Sequence, residues 1–391
     1  MNTALKLLDA IGEIQDVYIM DAHADSARIS HSRKTLVLIA AVVAAVLILA
    51  GCAAYAWHWY TVYFTQERQQ PLSDSQIHYI HDNVQEHQLS QTFDGYTMEL
   101  KSSISESDCA YVTFGLTGPE DVDFSTILDV DSQESLFFER LKVIPEGSDL
   151  PAIVISDFVE DGDGRNNTIN IVLKIEPDVL QERAPAFGPG KTCEITFERI
   201  THWGYDREYE QELLSTKYAG QTDYMLEGEE VQRVHPQTVL AAGDWKFEIE
   251  LKQADWEMVE LLSDSVSAKA LVTRVGENEY EWTEAVETIT ITSVQLRPLG
   301  ITVTFEKPEP VETFDCVFLD VNQSSAADQR NSSDENDLFL MMNDGTKVEF
   351  FQTMGAKESA YLRSDSPIVL SEVDYLHLSG GVKTAVEEHA P

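Results

Sequence analysis

Few residues in this chain of 391 are spaced for chemistry. The run Asp161-Gly162-Asp163-Gly164-Arg165-Asn166-Asn167 sets oxygens at alternate positions, as the start of a calcium loop does. It then departs from that pattern. Arg165 stands where a third ligand belongs, Asn166 where the turn glycine belongs, and Val172 where a closing acid belongs. A polar hairpin turn accounts for it better. His78 and His81 are three apart on a helical stretch, with His87 nearby, but no Glu-x-x-His frame surrounds them. Interfacial polar residues are the plainer reading. Nucleophile elbow, Ser-x-x-Lys, phosphate-loop and dinucleotide fingerprints are missing from the sequence. The expectation is a non-enzymatic protein with no cofactor and no metal centre.

What remains is organisation. Residues 35–56, TLVLIAAVVAAVLILAGCAAYA, carry no charge. A helix of that length is roughly 33 Å long, enough for the ~30 Å hydrocarbon core of a bilayer. Arg28, Arg33 and Lys34 precede it, and Trp57, Trp59, Tyr60, Tyr63 and Phe64 follow. Basic residues stay cytoplasmic and Trp and Tyr settle at the membrane surface. Arg33, Lys34, Trp57, Trp59 and Tyr60 are thus the expected membrane-interface residues. Residues 1–34 are expected in the cytoplasm and residues 57–391 outside the cell membrane. Leu49-Ala50-Gly51-Cys52 resembles a bacterial lipobox, which would instead place a lipid on Cys52 after cleavage. Against it stand an organised 34-residue leader and an apolar run that continues to Ala56.

Formal net charge is −41. Residues 1–34 hold five acids and four bases, so the remainder holds 63 acids and 23 bases, a net of −40. Such a surface repels nucleic acid, so none is expected as a partner. Cys109, Cys193 and Cys316 are single residues in strand-like stretches, read as buried thiols, with a Cys109–Cys193 bridge left open.

In the cytoplasmic segment Leu7, Ile11, Ile14 and Tyr18 recur at helical spacing, with Leu8 widening the stripe. Asp9, Glu13 and Asp16 fill much of the opposite face. Membrane-surface helices are usually basic there, so this apolar stripe points to a cytoplasmic protein partner. Beyond the span, residues 57–89 form a juxtamembrane section. Ser73 and Gln76 make a capping box for a helix over 74–88. Period-two alternation then predicts two β domains, 90–202 and 241–382, joined by a linker over 203–240 and followed by a tail, 383–391. The strand Trp245-Lys246-Phe247-Glu248-Ile249-Glu250-Leu251 is expected to open the second. Asn343-Asp344-Gly345-Thr346 is the strongest hairpin signal.

The N-terminal "LLDAIGEIQDVYIMDA" ahead of a single span, with "GDWKFEIEL", "ITSVQLRPLGITVTFE" and "EVDYLHLSG" beyond it, resembles a family of clostridial-type single-pass membrane proteins described as anti-sigma-factor-like. The resemblance implies two tandem immunoglobulin-like β-sandwich domains outside, so a mainly β fold. It also implies a sigma factor as the cytoplasmic partner and an unknown ligand outside. The zinc-binding His-x3-Cys-x2-Cys cluster of anti-sigma domains does not occur on the inner side. An adhesive surface module without a signalling role is the alternative.

Overall fold

The computed structural model describes residues 57–67, 70–106, 109–128, 134–147, 151–159, 165–176, 191–219, 226, 228–252, 258–262, 264–275, 282–306, 316–319, 338–351, 358–379 and 382–385. The chain divides into two compact units, Met1–Ala54 and Tyr55–Pro391, and the described residues all belong to the second. The expected span, the inner helix with Leu7, Leu8, Ile11, Ile14 and Tyr18, and Arg33, Lys34 and Cys52 lie outside them. Among the described residues no helix is long and apolar enough to cross a membrane.

The fold is mainly β. Among the described residues two helices come first, α1 over 57–67 and α2 over Asp74–Asn83. The α2 capping box forms as read: the Gln76 N–H donates to Ser73 Oγ at 3.2 Å, and the Ser73 N–H to Gln76 Oε1 at 2.9 Å. Replacing Ser73 with alanine removes the acceptor for that first-turn donor. The expected loss is about 1 kcal/mol, read from chemical denaturation.

The first lobe is a two-sheet sandwich. Strands β1 (Gln85–Phe93), β2 (Tyr96–Ser105), β3 (Ala110–Thr117), β6 (Ile153–Val159) and β7 (Thr168–Glu176) form one antiparallel sheet, ordered β1-β2-β3-β7-β6. Opposite it, β8 (Lys191–Trp203) is flanked by β4 (Ser135–Glu139) and β5 (Lys142–Pro145) on one side and β9 (Gln237–Leu251) on the other. Alternate residues of both sheets fill one core: Met98, Leu100, Phe114 and Ile171 from the first, Ile195, Phe197, Trp245 and Phe247 from the second.

Two boundaries differ from those expected. The strand ending at Leu251 pairs with β8 from Lys191↔Leu251 to Trp203↔Gln237, so it closes the first lobe instead of opening the second. The stretch before it is not an interdomain linker. It is an excursion between paired strands, carrying α3 (Arg207–Ser215) and α4 (Glu229–Val234) around Leu213, Tyr218 and Val234. Alternation revealed the strand but not its partner, because the excursion separates the two arms. The helix expected over 74–88 ends at Asn83, where Val84 turns extended into β1.

The free edge of β9 is met by side chains from the β1–β2 hairpin. Gln91 Oε1 accepts from Lys246 N–H at 3.1 Å, Gln85 Oε1 from Lys252 N–H at 3.1 Å, and Asp94 Oδ2 from Ala242 N–H at 2.9 Å. These contacts occupy backbone donors that an open edge would offer to another chain.

Among the described residues the second lobe is a single hydrogen-bonded sheet of ten strands. Its main path runs β14 (Cys316–Phe318), β11 (Val266–Val275), β12 (Trp282–Arg297), β13 (Gly300–Glu306), β17 (Ser359–Ser364), β16 (Lys347–Phe351), β15 (Phe339–Met342), β18 (Val373–Leu378), β19 (Val382–Ala385), with β10 (Val259–Glu260) on β12. Near its ends the Lys269 N–H donates to Ser379 O at 2.9 Å, and Ser379 Oγ to Leu319 O at 2.9 Å, so the sheet curls around one core. The β15–β16 hairpin turns where the sequence indicated, with Gly345 at φ 86°, a left-handed position.

Candidate functional site

Part of the outer face of the five-stranded sheet is itself buried, because α1 lies on it. Trp59, Tyr60, Tyr63 and Phe64 recur on one helical face and pack with Ile104, Cys109, Tyr111 and Val172 of the first lobe, and with Leu299 and Tyr361 of the second. Trp59 is 2% exposed and Tyr60 0%, with Tyr60 Oη donating to the Tyr111 carbonyl at 3.0 Å. Protein encloses these two rings. Trp57 is half-buried at the rim, its ring edge-on to His81 at 6.3 Å.

At the end of α1 the packing becomes ionic. Glu67 Oε2 lies 3.1 Å from Lys174 Nζ of β7 and 3.3 Å from the Arg363 guanidinium of β17. Lys174 also contacts Asp157 Oδ2 of β6 at 2.6 Å, and Arg363 Nε stands 3.4 Å from Glu176 Oε1. One carboxylate on the helix after the expected span therefore holds a cation from each lobe. Burial alone would raise the Glu67 pKa, but the Lys174 and Arg363 charges outweigh it and hold the carboxyl below its ordinary value.

A second set of contacts joins the lobes beside α2. The β12–β13 turn, read in the sequence as Arg297-Pro298-Leu299-Gly300, inserts Leu299 fully buried. Its N–H donates to Glu106 Oε1 at 3.0 Å, and its carbonyl accepts from Tyr361 Oη at 3.2 Å and Ser364 N–H at 3.0 Å. A side chain at Gly300 would collide with the Leu362 carbonyl, so only glycine lets β13 lie this close to β17. Gln76 of α2 adds a bond from Nε2 to Pro367 O at 2.6 Å, and Ser75 one from Oγ to Glu372 Oε1 at 2.5 Å. Clefts of about 460 and about 450 Å³ open on two flanks of α2. The first is lined in part by Leu72, Asn343 and Asp344, the second by Asp74, His78 and Asp82.

The arrangement joins the two lobes through a buried helix and a cluster of charges. His78 and His81 stand with ring centres 6.4 Å apart, and no metal-holding group of three or more His, Cys, Asp or Glu occurs among the described residues. Cys109 and Cys193 are free buried thiols, one under α1 and the other in the sandwich core, so the sheet separates them. Asn166 and Asn167 tie the adjacent loop, donating to Asp123 Oδ2 at 3.2 Å and Gly118 O at 2.8 Å, while 161–164 lie outside the described residues. Sequence reasoning missed Glu67, Glu106, Lys174 and Arg363. The available signal was a lone charge within an apolar strand, as at Lys174 in Ile169–Ile175.

No family profile matches the chain, and no curated protein does. Among solved structures it is similar to a conserved domain protein from Bacillus anthracis, at a TM-score of 0.36 and 10% identity, over 78% of this chain and 83% of that one.

Proposed function

We propose that this chain is a membrane-anchored, non-enzymatic sensor in the manner of an anti-sigma factor. Its exterior β module would be coupled through one span to an inner helix that holds a cytoplasmic partner. The observation that carries this reading is the clamping of α1. A passive stalk after a membrane span would be polar and exposed, whereas α1 buries four aromatic rings and offers Glu67 to both lobes. A ligand that shifts one lobe against the other must disturb α1, which lies next in sequence to the proposed span. The immunoglobulin-like reading of the first lobe draws support from its strand order. With β1 set aside, β2-β3-β7-β6 over β4/β5-β8-β9 follows the ABED-over-CFG connectivity of constant-type domains.

Deleting residues 1–20 in the native host is expected to change transcription of a defined gene set. Residues 1–34 used as bait are expected to capture a cytoplasmic transcription regulator. An unchanged transcriptome, with the exterior module binding wall polymer all the same, would reject the sensor in favour of an adhesive module.

A further inference from the structure

We infer that the grip between the two lobes is proton-controlled through Glu106, tightening on mild acidification and slackening as the medium becomes neutral and then alkaline. The inference concerns the junction itself and stands whether or not the chain signals.

Glu106 follows β2 at the point where three elements meet. Its side chain is 2% exposed. Oε1 accepts the Leu299 N–H from the second lobe and faces the Tyr79 hydroxyl of α2 at 3.5 Å. Oε2 is buried with no hydrogen-bond partner among the described residues. The titratable and charged groups around it are Tyr79 from α2, Cys109 and Tyr111 from the first lobe, and Arg297 and Tyr361 from the second. Arg297 is the cation that acts on it, and burial lowers its own pKa. Its guanidinium also contacts Thr302 Oγ1 at 3.3 Å and Gln295 Oε1 at 3.4 Å. An ionised Glu106 would therefore be a buried charge with one oxygen bare, which is far costlier than a buried neutral acid.

The direction of the pH response follows. Burial pushes the carboxyl from its ordinary 4.5 up to about 8, against the opposing pull of the Leu299 N–H, Arg297 and Tyr79. If the lobes part, the carboxyl meets water and returns to its ordinary value. The closed junction thus keeps a proton that the open one releases. Its advantage is complete below 4.5, shrinks by roughly tenfold per pH unit as pH rises, and is gone above about 8. The whole change is on the order of a thousandfold in the opening equilibrium. Glu67 has the opposite sign, since its lowered pKa gives stability that is lost in stronger acid. The junction is accordingly firmest in mild acid.

The test is hydrogen exchange of the full chain in detergent micelles, following the segment 294–303 at about pH 5 and about pH 8, normalised for intrinsic exchange. Opening of wild-type protein is expected to rise by a few hundredfold or more between the two, and that of Glu106→Gln by less than about threefold. A wild type without pH dependence, or a Glu106→Gln variant with the same dependence, overturns the inference. Should Glu106→Gln fail to fold, infrared spectroscopy of the wild type decides. A protonated-carboxyl band is expected at about pH 7 and lost by about pH 9, and no such band at about pH 7 overturns it.

Discussion

Replacing Arg363 with alanine is expected to cost about 3–5 kcal/mol, among the largest losses from any single change at the junction. Arg363 is nearly buried, as is Glu176 beside it, and it shares Glu67 with Lys174. Removing the guanidinium leaves Glu176 with its nearest ionic contact gone and Glu67 with one cation instead of two. The cost is mainly that of keeping Glu176 buried without this cation, more than the value of one bond. Replacing Arg363 and Glu176 together by methionine and leucine should therefore be far milder, because the buried carboxylate goes with its cation and Glu67 keeps Lys174. Equilibrium unfolding in urea reads both. A loss below about 1 kcal/mol for Arg363→Ala would be the value of an exposed pair and would mean that water reaches the cluster.

The same residues explain what could and could not be read along the chain. The Ser73–Gln76 box and the Asn343–Thr346 turn were legible because their determinants are local: a cap spans four residues, and a turn needs a glycine at one left-handed position. Strands were legible from alternation, as in Trp245 to Leu251. Pairing was not, because alternation fixes which face is buried and says nothing about the neighbour. The aromatic stripe of α1 was legible as a stripe, but Trp and Tyr suit a membrane surface and a protein core equally, since both offer an apolar body and a polar tip. Only the sheet beneath decides. Glu67 and Arg363 stand 296 positions apart, and nothing in either local sequence announces the other. The junction exists because four distant segments, each unremarkable alone, bury complementary charges at one place.

Trp245 gives the sharpest check on where the first lobe ends. Its ring is 1% exposed, stacked on Phe197 at 5.4 Å with 13° between planes and met edge-on by Phe93 at 4.7 Å. Its indole N–H has no hydrogen-bond partner among the described residues, so truncation removes packing and no polar bond. Trp245→Ala is then expected to cost about 3–5 kcal/mol from lost contacts and the cavity left between the sheets. The location of that loss matters more than its size. Hydrogen exchange should accelerate in β2, β3, β7 and β8, whose side chains line the same core, while β11, β12 and β13 keep their protection. If protection fell in β11–β13 and held in β8, Trp245 would belong to the second core, as alternation alone suggested. The pairing of β9 with β8 along its whole length makes the first outcome the expected one: a cavity beside Phe197 loosens the strands that share it, and the second lobe touches none of them through this ring.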